Sequence, residues 1–258
     1  MRIVLEKKHN AIKVFGYTDI HIPNQDNEAL QIAMAGQRFF KPDITIVGND
    51  LIDCTPYTRW ADSTIREALA KDWYKTEIKP ANKFLDYVQK YTKKTIFLPG
   101  NHDKWIERWA ARSGKTGLAI YSLISLRHNL LKNRINIEYV DDFVNLHKNL
   151  IVIHGWTCCK HAAYKHIELS KTKSIIFNHT HRRQSITVQD PWSGLPIEAI
   201  CAGCLCKKKP MYKHDGSPTE WTHGFWIAYI GKFSFTIYPI IIHNSRAIMP
   251  DGKEIKLI

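Results

Sequence analysis

The sequence predicts an α/β fold whose alternating first part gives way to a last third that is mostly β, within one domain spanning 1–258. Three observations carry this. Short apolar, β-branched runs alternate with amphipathic stretches as far as Ser185. Beyond it, strand-like segments follow one another with turn residues between them. No repeat, low-complexity linker or change of composition divides the 258 residues, a length sufficient for one large core.

The elements follow in order. "IKVFGYTD" (12–19), "DITIVGND" (43–50), "KTIFLPGNHD" (94–103), "LIVIHGW" (150–156) and "SIIFNHTH" (174–181) read as buried strands, each short and each ending in polar residues. "NEALQIAMAGQRFF" and "DKWIERWAARS" carry apolar residues at helical spacing. The stretch 62–91 is amphipathic, and Pro80 is expected to divide it into two helices. After Ser185, "SITVQD", "IEAICAG", "FWIAYIG", "FSFTIYPIIIH" and "AIMPDGKEI" read as antiparallel strands, with Asp251-Gly252 as a hairpin signal.

Composition narrows the function. Lys and Arg number 37 against 24 Asp and Glu, a formal charge of +13. Such a surface concentrates phosphate and favours a polyanionic partner. No run reaches the length of a membrane span, and "MRIVLEKKHN" lacks a signal peptide's apolar stretch, so the expectation is a soluble, cytoplasmic protein without a membrane partner. Six cysteines are too sparse for a disulfide scaffold. "CAGCLC" (201–206) has no second pair to complete a structural zinc site, so its thiols are read as reduced.

The chemistry lies where the strands stop. Strand one delivers Asp19 and His21, strand two Asp50 and Asp53, strand three Asn101, His102 and Asp103, strand four His154, and strand five His179 and His181. In α/β sheets the site lies beyond the carboxyl ends of the strands. Residues i and i+2 on an extended segment point the same way, so Asp19 with His21, and His179 with His181, can converge. Alone, His154 reads as a hydrogen-bonded core histidine and "GNHD" as a turn. Five such endings in succession read as a site.

This series resembles the calcineurin-like metallophosphoesterase superfamily in Asp-x-His, Gly-Asn-Asp-x-x-Asp, Gly-Asn-His-Asp, His-Gly and Asn-His-x-His. The motifs span Asp19 to His181. The resemblance implies two packed mixed β-sheets flanked by helices and a site for two divalent transition-metal ions. One would be held by Asp19, His21, Asp50 and His181, the other by Asp50, Asn101, His154 and His179, with Asp50 shared. It implies a metal-bridged hydroxide as nucleophile, His102 facing the substrate phosphate and Asp53 orienting it. Imidazole, carboxylate and amide donors suit manganese, iron, zinc or nickel better than magnesium or calcium, and manganese is the expected ion. Asn49 and Asn178 stand where the family usually has Gly. Asn tolerates a left-handed backbone, so both turns are expected to survive.

The substrate is read from what surrounds the motifs. Ile22 after His21 and Cys54-Thr55 after Asp53 depart from the protein-phosphatase pattern. Lys104, Arg108, Arg112, Lys160, Lys165, Arg182, Arg183 and Lys207 to Lys209 follow the motifs, with Arg182 the candidate phosphate contact. Trp105, Trp109, Trp156, Tyr212 and Trp221 are interleaved and can stack on bases, although the i, i+4 spacing of Trp105 and Trp109 favours the core. "CAGCLCKKKPMY" and "EWTHGFW" resemble the C-terminal region of phage- and prophage-encoded phosphoesterases, which implies a role in DNA metabolism in a host cell. The expectation is a phosphodiesterase acting on nucleic acid or a nucleotide diester. The alternatives are a small-molecule phosphomonoesterase and a nucleic-acid-binding module with a structural metal site.

Overall fold

Two mixed β-sheets pack face to face, with helices on both outer faces. We describe residues 11–58, 70–209 and 219–257 of a computed structural model of the chain. In the first sheet β1 (Ile12–Gly16), β2 (Ile44–Gly48), β3 (Lys94–Leu98) and β4 (Ile137–Tyr139) run parallel. On the far side of β1, β10 (Gly224–Ile230) and then β11 (Phe235–Ile241) add antiparallel. The second sheet has the order β5-β6-β7-β9-β8. Its centre, β6 (Leu150–Ile153), β7 (Ser174–Ile176) and β9 (Pro196–Ala202), is parallel. Its edges, β5 (Phe143–His147) and β8 (Arg183–Gln189), are antiparallel.

The alternation of side chains along each strand sorts them into three apolar layers. Val14, Ile46, Ile96 and Leu98 of the first sheet meet Leu150, Val152, Ile176 and Ile200 of the second. The intervening residues Phe15, Val47 and Phe97 face outward, under α1 (Asn27–Phe40) and α2 (Lys79–Lys90). On the other outer face Ile151, Ile153, Ile175 and Phe177 pack under α5 (Ala162–Ser170). Every central strand is therefore buried on both faces, which is why each reads as a continuous apolar run.

Helix α1 occupies the stretch expected of it. Asp26 caps it by accepting from Ala29 N at 3.0 Å, and Lys41 ends it in a left-handed turn. Two expectations need correction. Pro80 does not separate two helices. It sits at the start of α2, directly after a π-turn over Tyr74–Ile78, and Lys79 keeps helical angles. The missing proline N–H falls where the hydrogen-bond register widens, so the helix continues. The part of this stretch before residue 70 lies outside the described residues, as does Tyr212. The last third is not purely antiparallel either, since β9 joins β7 in parallel. The Asp251-Gly252 signal does close a hairpin, between β12 (Arg246–Ile248) and β13 (Glu254–Lys256).

Helices α3 (Trp105–Arg112) and α4 (Gly114–Ile124) follow the third strand end. Among the described residues no helix is long and apolar enough to cross a membrane.

Candidate metal centre

The carboxyl ends of β1, β2 and β3 in one sheet, and of β6 and β7 in the other, meet at one edge of the sandwich. Their closing residues touch across the gap. His179 N donates to Asp19 Oδ1 at 3.1 Å, and His154 Nε2 lies 2.8 Å from Asn101 Oδ1. Each strand must turn sharply there and still deliver a side chain inward. The backbone accordingly adopts positive φ at Asp19 (27°), His21 (55°), Asn49 (50°), Asp50 (67°), His179 (71°) and His181 (57°). The expectation for the two asparagines holds at Asn49 alone. Around Asn178 the left-handed residue is the next one, His179.

Two groups of donors form, and Asp50 faces both. In the first, His21 Nε2 is 3.2 Å from His181 Nε2, His181 Nε2 is 3.4 Å from Asp19 Oδ1, and Asp50 Oδ2 is 3.8 Å from His21 Nε2. In the second, His154 Nε2 is 3.1 Å from His179 Nδ1 and 3.2 Å from Asp50 Oδ2, with Asn101 Oδ1 beside it. Donors that share an ion at about 2.1 Å stand roughly 3.0–3.4 Å apart in octahedral or tetrahedral arrangements. Most of these spacings fall in or beside that interval.

The electrostatics point the same way. Asp19 and Asp50 are almost fully buried, with Asp53 close behind them. Burial alone would lower His21, but Asp53, Asp50 and Asp19 outweigh it and push it up to about 10. Burial and the neighbouring His154 push His179 down to about 4, so it presents a lone pair at neutral pH. Imidazole nitrogens facing one another at 3.1–3.2 Å with buried carboxylates around them fit a cation held between them. The donor set is nitrogen and oxygen, as a divalent transition metal takes.

Outer contacts fix these rings. His21 Nδ1 lies 2.6 Å from Asp53 Oδ1, so its proton is held there and Nε2 faces the site. Asp53 Oδ1 is also 3.1 Å from His102 Nδ1, and Asn24 Nδ2 donates to Oδ2. His102 stacks on Trp105, with centroids 3.8 Å apart, and donates its backbone N–H to Asp50 Oδ1 at 2.7 Å. Trp105 thus supports His102 from the half-buried face of α3. Gly100 is required because a Cβ there would stand 2.1 Å from Asp50 Oδ1.

Three residues named in the sequence take up roles at the site that the sequence did not assign them. Asp103, at the end of "GNHD", accepts from the backbone N–H groups of Gly100 and Asp50 at 2.9 Å, and of Leu51 and Ile52 at 3.3 Å. It ties the second and third strand ends into one unit. Its place in the third motif was the available signal. Cys206 Sγ lies 3.6 Å from His181 Nδ1 and joins His21 and His181 in a cluster of metal-binding atoms. Trp221 sits edge-on to His181 at 4.2 Å. Neither contact has a local sequence signal, since both come from far along the chain. All six cysteines are free.

Arg182 stands at the rim, but its guanidinium is engaged. It donates to Glu220 Oε2 at 2.9 Å and to the carbonyls of Cys158 and Cys159 at 3.2 and 2.7 Å. Lys104 reaches Asp141 O, and Lys165 pairs with Glu168. Arg108, Arg112, Lys160, Arg183 and Lys207 to Lys209 are exposed.

The family model for calcineurin-like phosphoesterases matches residues 12–198. Among solved structures, vacuolar protein sorting 29 (Vps29) from Cryptosporidium parvum is similar, with a TM-score of 0.52 and 9% identity over 93% of this chain and 95% of that one. Wild-type Vps29 from Entamoeba histolytica, solved in complex with Zn2+, gives a TM-score of 0.49 and 10% identity over 92% and 96% of the two chains. At such identities the likeness is one of fold. No curated protein matches the chain.

Proposed function

Because the chain belongs to the calcineurin-like phosphoesterase family, we propose that it is a phosphodiesterase that hydrolyses nucleic acid or nucleotide diesters with two divalent metal ions. Metal-dependent phosphoester hydrolysis is the family's chemistry. The finer reading rests on the site and on the surface around it.

Asp19, His21, Asp50 and His181 would hold one ion, and Asp50, Asn101, His154 and His179 the other. Manganese is the first choice, with iron, zinc or nickel as alternatives. Bound there, the ions would supply positive charge for the phosphoryl oxygens and lower the pKa of a bound water. The chain's own residues do the rest. Asp19 fixes the His179 turn through its backbone N–H, and Asp103 fixes the Asp50 turn. Asp53 holds His21 by a hydrogen bond at Nδ1 and stands 3.1 Å from His102 Nδ1 without hydrogen-bond alignment. That leaves His102 Nε2 directed away from Asp53, where it can carry a proton to the leaving oxygen.

The observation that carries a catalytic reading is His102. Its ring nitrogen lies within 4.8 Å of donor atoms of His21 and Asp50, yet the two ligand sets above leave it out, and Asp53, Trp105 and Asp50 surround it. A purely structural metal site has no use for such a residue. The diester reading draws on the +13 charge and on the exposed basic residues that follow the motifs.

The test is turnover with manganese on bis-p-nitrophenyl phosphate, p-nitrophenyl phosphate and end-labelled single- and double-stranded DNA. The diester and DNA should be cut. His102→Ala should lose about 10²- to 10⁴-fold in rate while keeping its metal. Cleavage of the monoester alone would favour the phosphomonoesterase. No turnover by wild type on any ester would favour a binding module.

A further inference from the structure

Gly155 brings the chain from His154 across the His179 turn. Its φ is +141°, and a Cβ there would stand 3.0 Å from His179 Cβ and 3.1 Å from Asn178 O. The next residue, Trp156, is thereby set on the rim of the second donor group. Its ring is half exposed, at 50%.

That ring is the outermost of a stacked column. Trp156 lies over His166, with centroids 5.7 Å apart and planes 16° apart. His166 lies over Phe177, at 4.1 Å and 14°. His166 and Phe177 are fully buried. The middle ring is locked in one tautomer. Its Nδ1–H donates to Ala162 O at 2.7 Å, and its Nε2 accepts from Trp156 N at 3.0 Å. The loop beyond is held as firmly. Arg182 donates to the carbonyls of Cys158 and Cys159, and Gln184 to that of Lys160 at 3.3 Å. The engaged arginine therefore has a purpose here, which is to fix the loop that carries the ring.

A large aromatic surface left open to water is unfavourable, and a mobile loop would let it fold inward. Here the indole lies against a buried ring, stays half open to solvent and follows His154 of the second donor group by two residues. We infer that Trp156 is a stacking platform for a nucleobase attached to the phosphate being processed. The inference rests on the nucleic-acid or nucleotide substrate proposed above and assigns one subsite within it. Stacking on an indole face tolerates any base, so the platform confers a preference for nucleotides over bare phosphate backbone without sequence readout.

The test is fluorescence polarisation with manganese in the His102→Ala protein, which retains the donor groups. The probes are a fluorescein-labelled thymidine octamer and an abasic octamer of equal charge. Without a further change, the thymidine octamer should bind the tighter. Trp156→Ala should weaken it about fivefold or more and shift the abasic octamer less than about twofold. Trp156→Phe should restore most of the loss. Equal weakening of both probes would overturn the platform in favour of a packing role, and so would no weakening of either, or no preference for bases at the start. Wild-type turnover of bis-p-nitrophenyl phosphate separates the two readings. Turnover without a Trp156-dependent base preference leaves the phosphodiesterase standing and removes the platform. A Trp156-dependent preference without turnover does the reverse.

Discussion

Glu77 offers the sharpest test of how burial governs the region behind the site. It lies on the π-turn before α2 and is fully buried. Oε1 accepts from Thr55 N at 2.9 Å and from Thr55 Oγ1, while Oε2 makes no hydrogen bond among the described residues. Burial pushes the carboxyl from its ordinary 4.5 up to about 7, against the Thr55 hydrogen bonds and with help from the charge of Asp53. The native state therefore holds this proton more tightly than the unfolded chain does. The resulting stability is fully present below about pH 4.5 and is lost as pH rises through about 7. At 1.36 kcal/mol per pH unit, the loss amounts to about 3 kcal/mol. Glu77→Gln keeps an oxygen for Thr55 and removes the ionisation. The variant should match wild type near pH 5 and exceed it by up to about 3 kcal/mol at pH 8, or roughly 6–12 °C in Tm. Both proteins would be unfolded thermally and in urea, in EDTA, between pH 5 and 9, so that metal binding does not enter. A difference between variant and wild type that stays constant across that range would refute the reasoning.

Other outcomes follow from the same geometry. Asp50→Asn weakens the one carboxylate that faces both donor groups, and should lower metal affinity more than about 100-fold, read by calorimetric titration of the metal-free protein. Asp103→Ala leaves four buried N–H groups without their acceptor, and should cost at least about 3 kcal/mol in urea unfolding; a loss under about 1 kcal/mol would contradict its bridging role. Gly100→Ala should reduce metal binding through the clash with Asp50, with a smaller effect on secondary structure by circular dichroism. Replacing Lys207, Lys208 and Lys209 together by Ala should reduce the slope of log affinity for single-stranded DNA against log salt by about 2; an unchanged slope would place this basic run off the substrate path.

Much of this was legible in the sequence because the central strands are buried on both sides. "FLPGNHD" and "IIFNHTH" stop being apolar where the sheet stops, so the change of character marks the site edge. The asymmetric faces of α1 made it equally plain. What escaped notice lacks such contrast. Strands β4 and β5 are short and partly exposed, with burial alternating among Ile137, Glu138 and Tyr139, so they resemble loop. Helix α4 starts at Gly114, contains Gly117 and leaves Leu118 and Leu123 exposed, which blurs its apolar face. Helix α5 is a brief segment with buried His166 on its inner side. The pairing of β9 with β7 rather than with β8 alone depends on contacts between distant segments, which no local pattern encodes.

The centre itself shows why motif and backbone must be read together. Positive φ at Asp19, His21, Asp50, His179 and His181 is unfavourable for side chains of this size, and each such residue costs on the order of 1–3 kcal/mol. The fold holds them there with hydrogen bonds that cross between strand ends: Asp103 to the Asp50 turn, Asp19 to the His179 turn, and His21 N to Asp50 O at 2.9 Å. A left-handed turn at Asn178 would have been relieved by asparagine, yet the strain falls one residue later, on His179 itself. The ring is thereby turned back toward His154, at 3.1 Å. Five of the donors carry this strain, with Asn49 beside them, and the cross-strand ties hold them in place. Removing a cross-strand tie should therefore loosen metal binding as surely as removing a donor, because the side chains would remain while their approach to one another was lost.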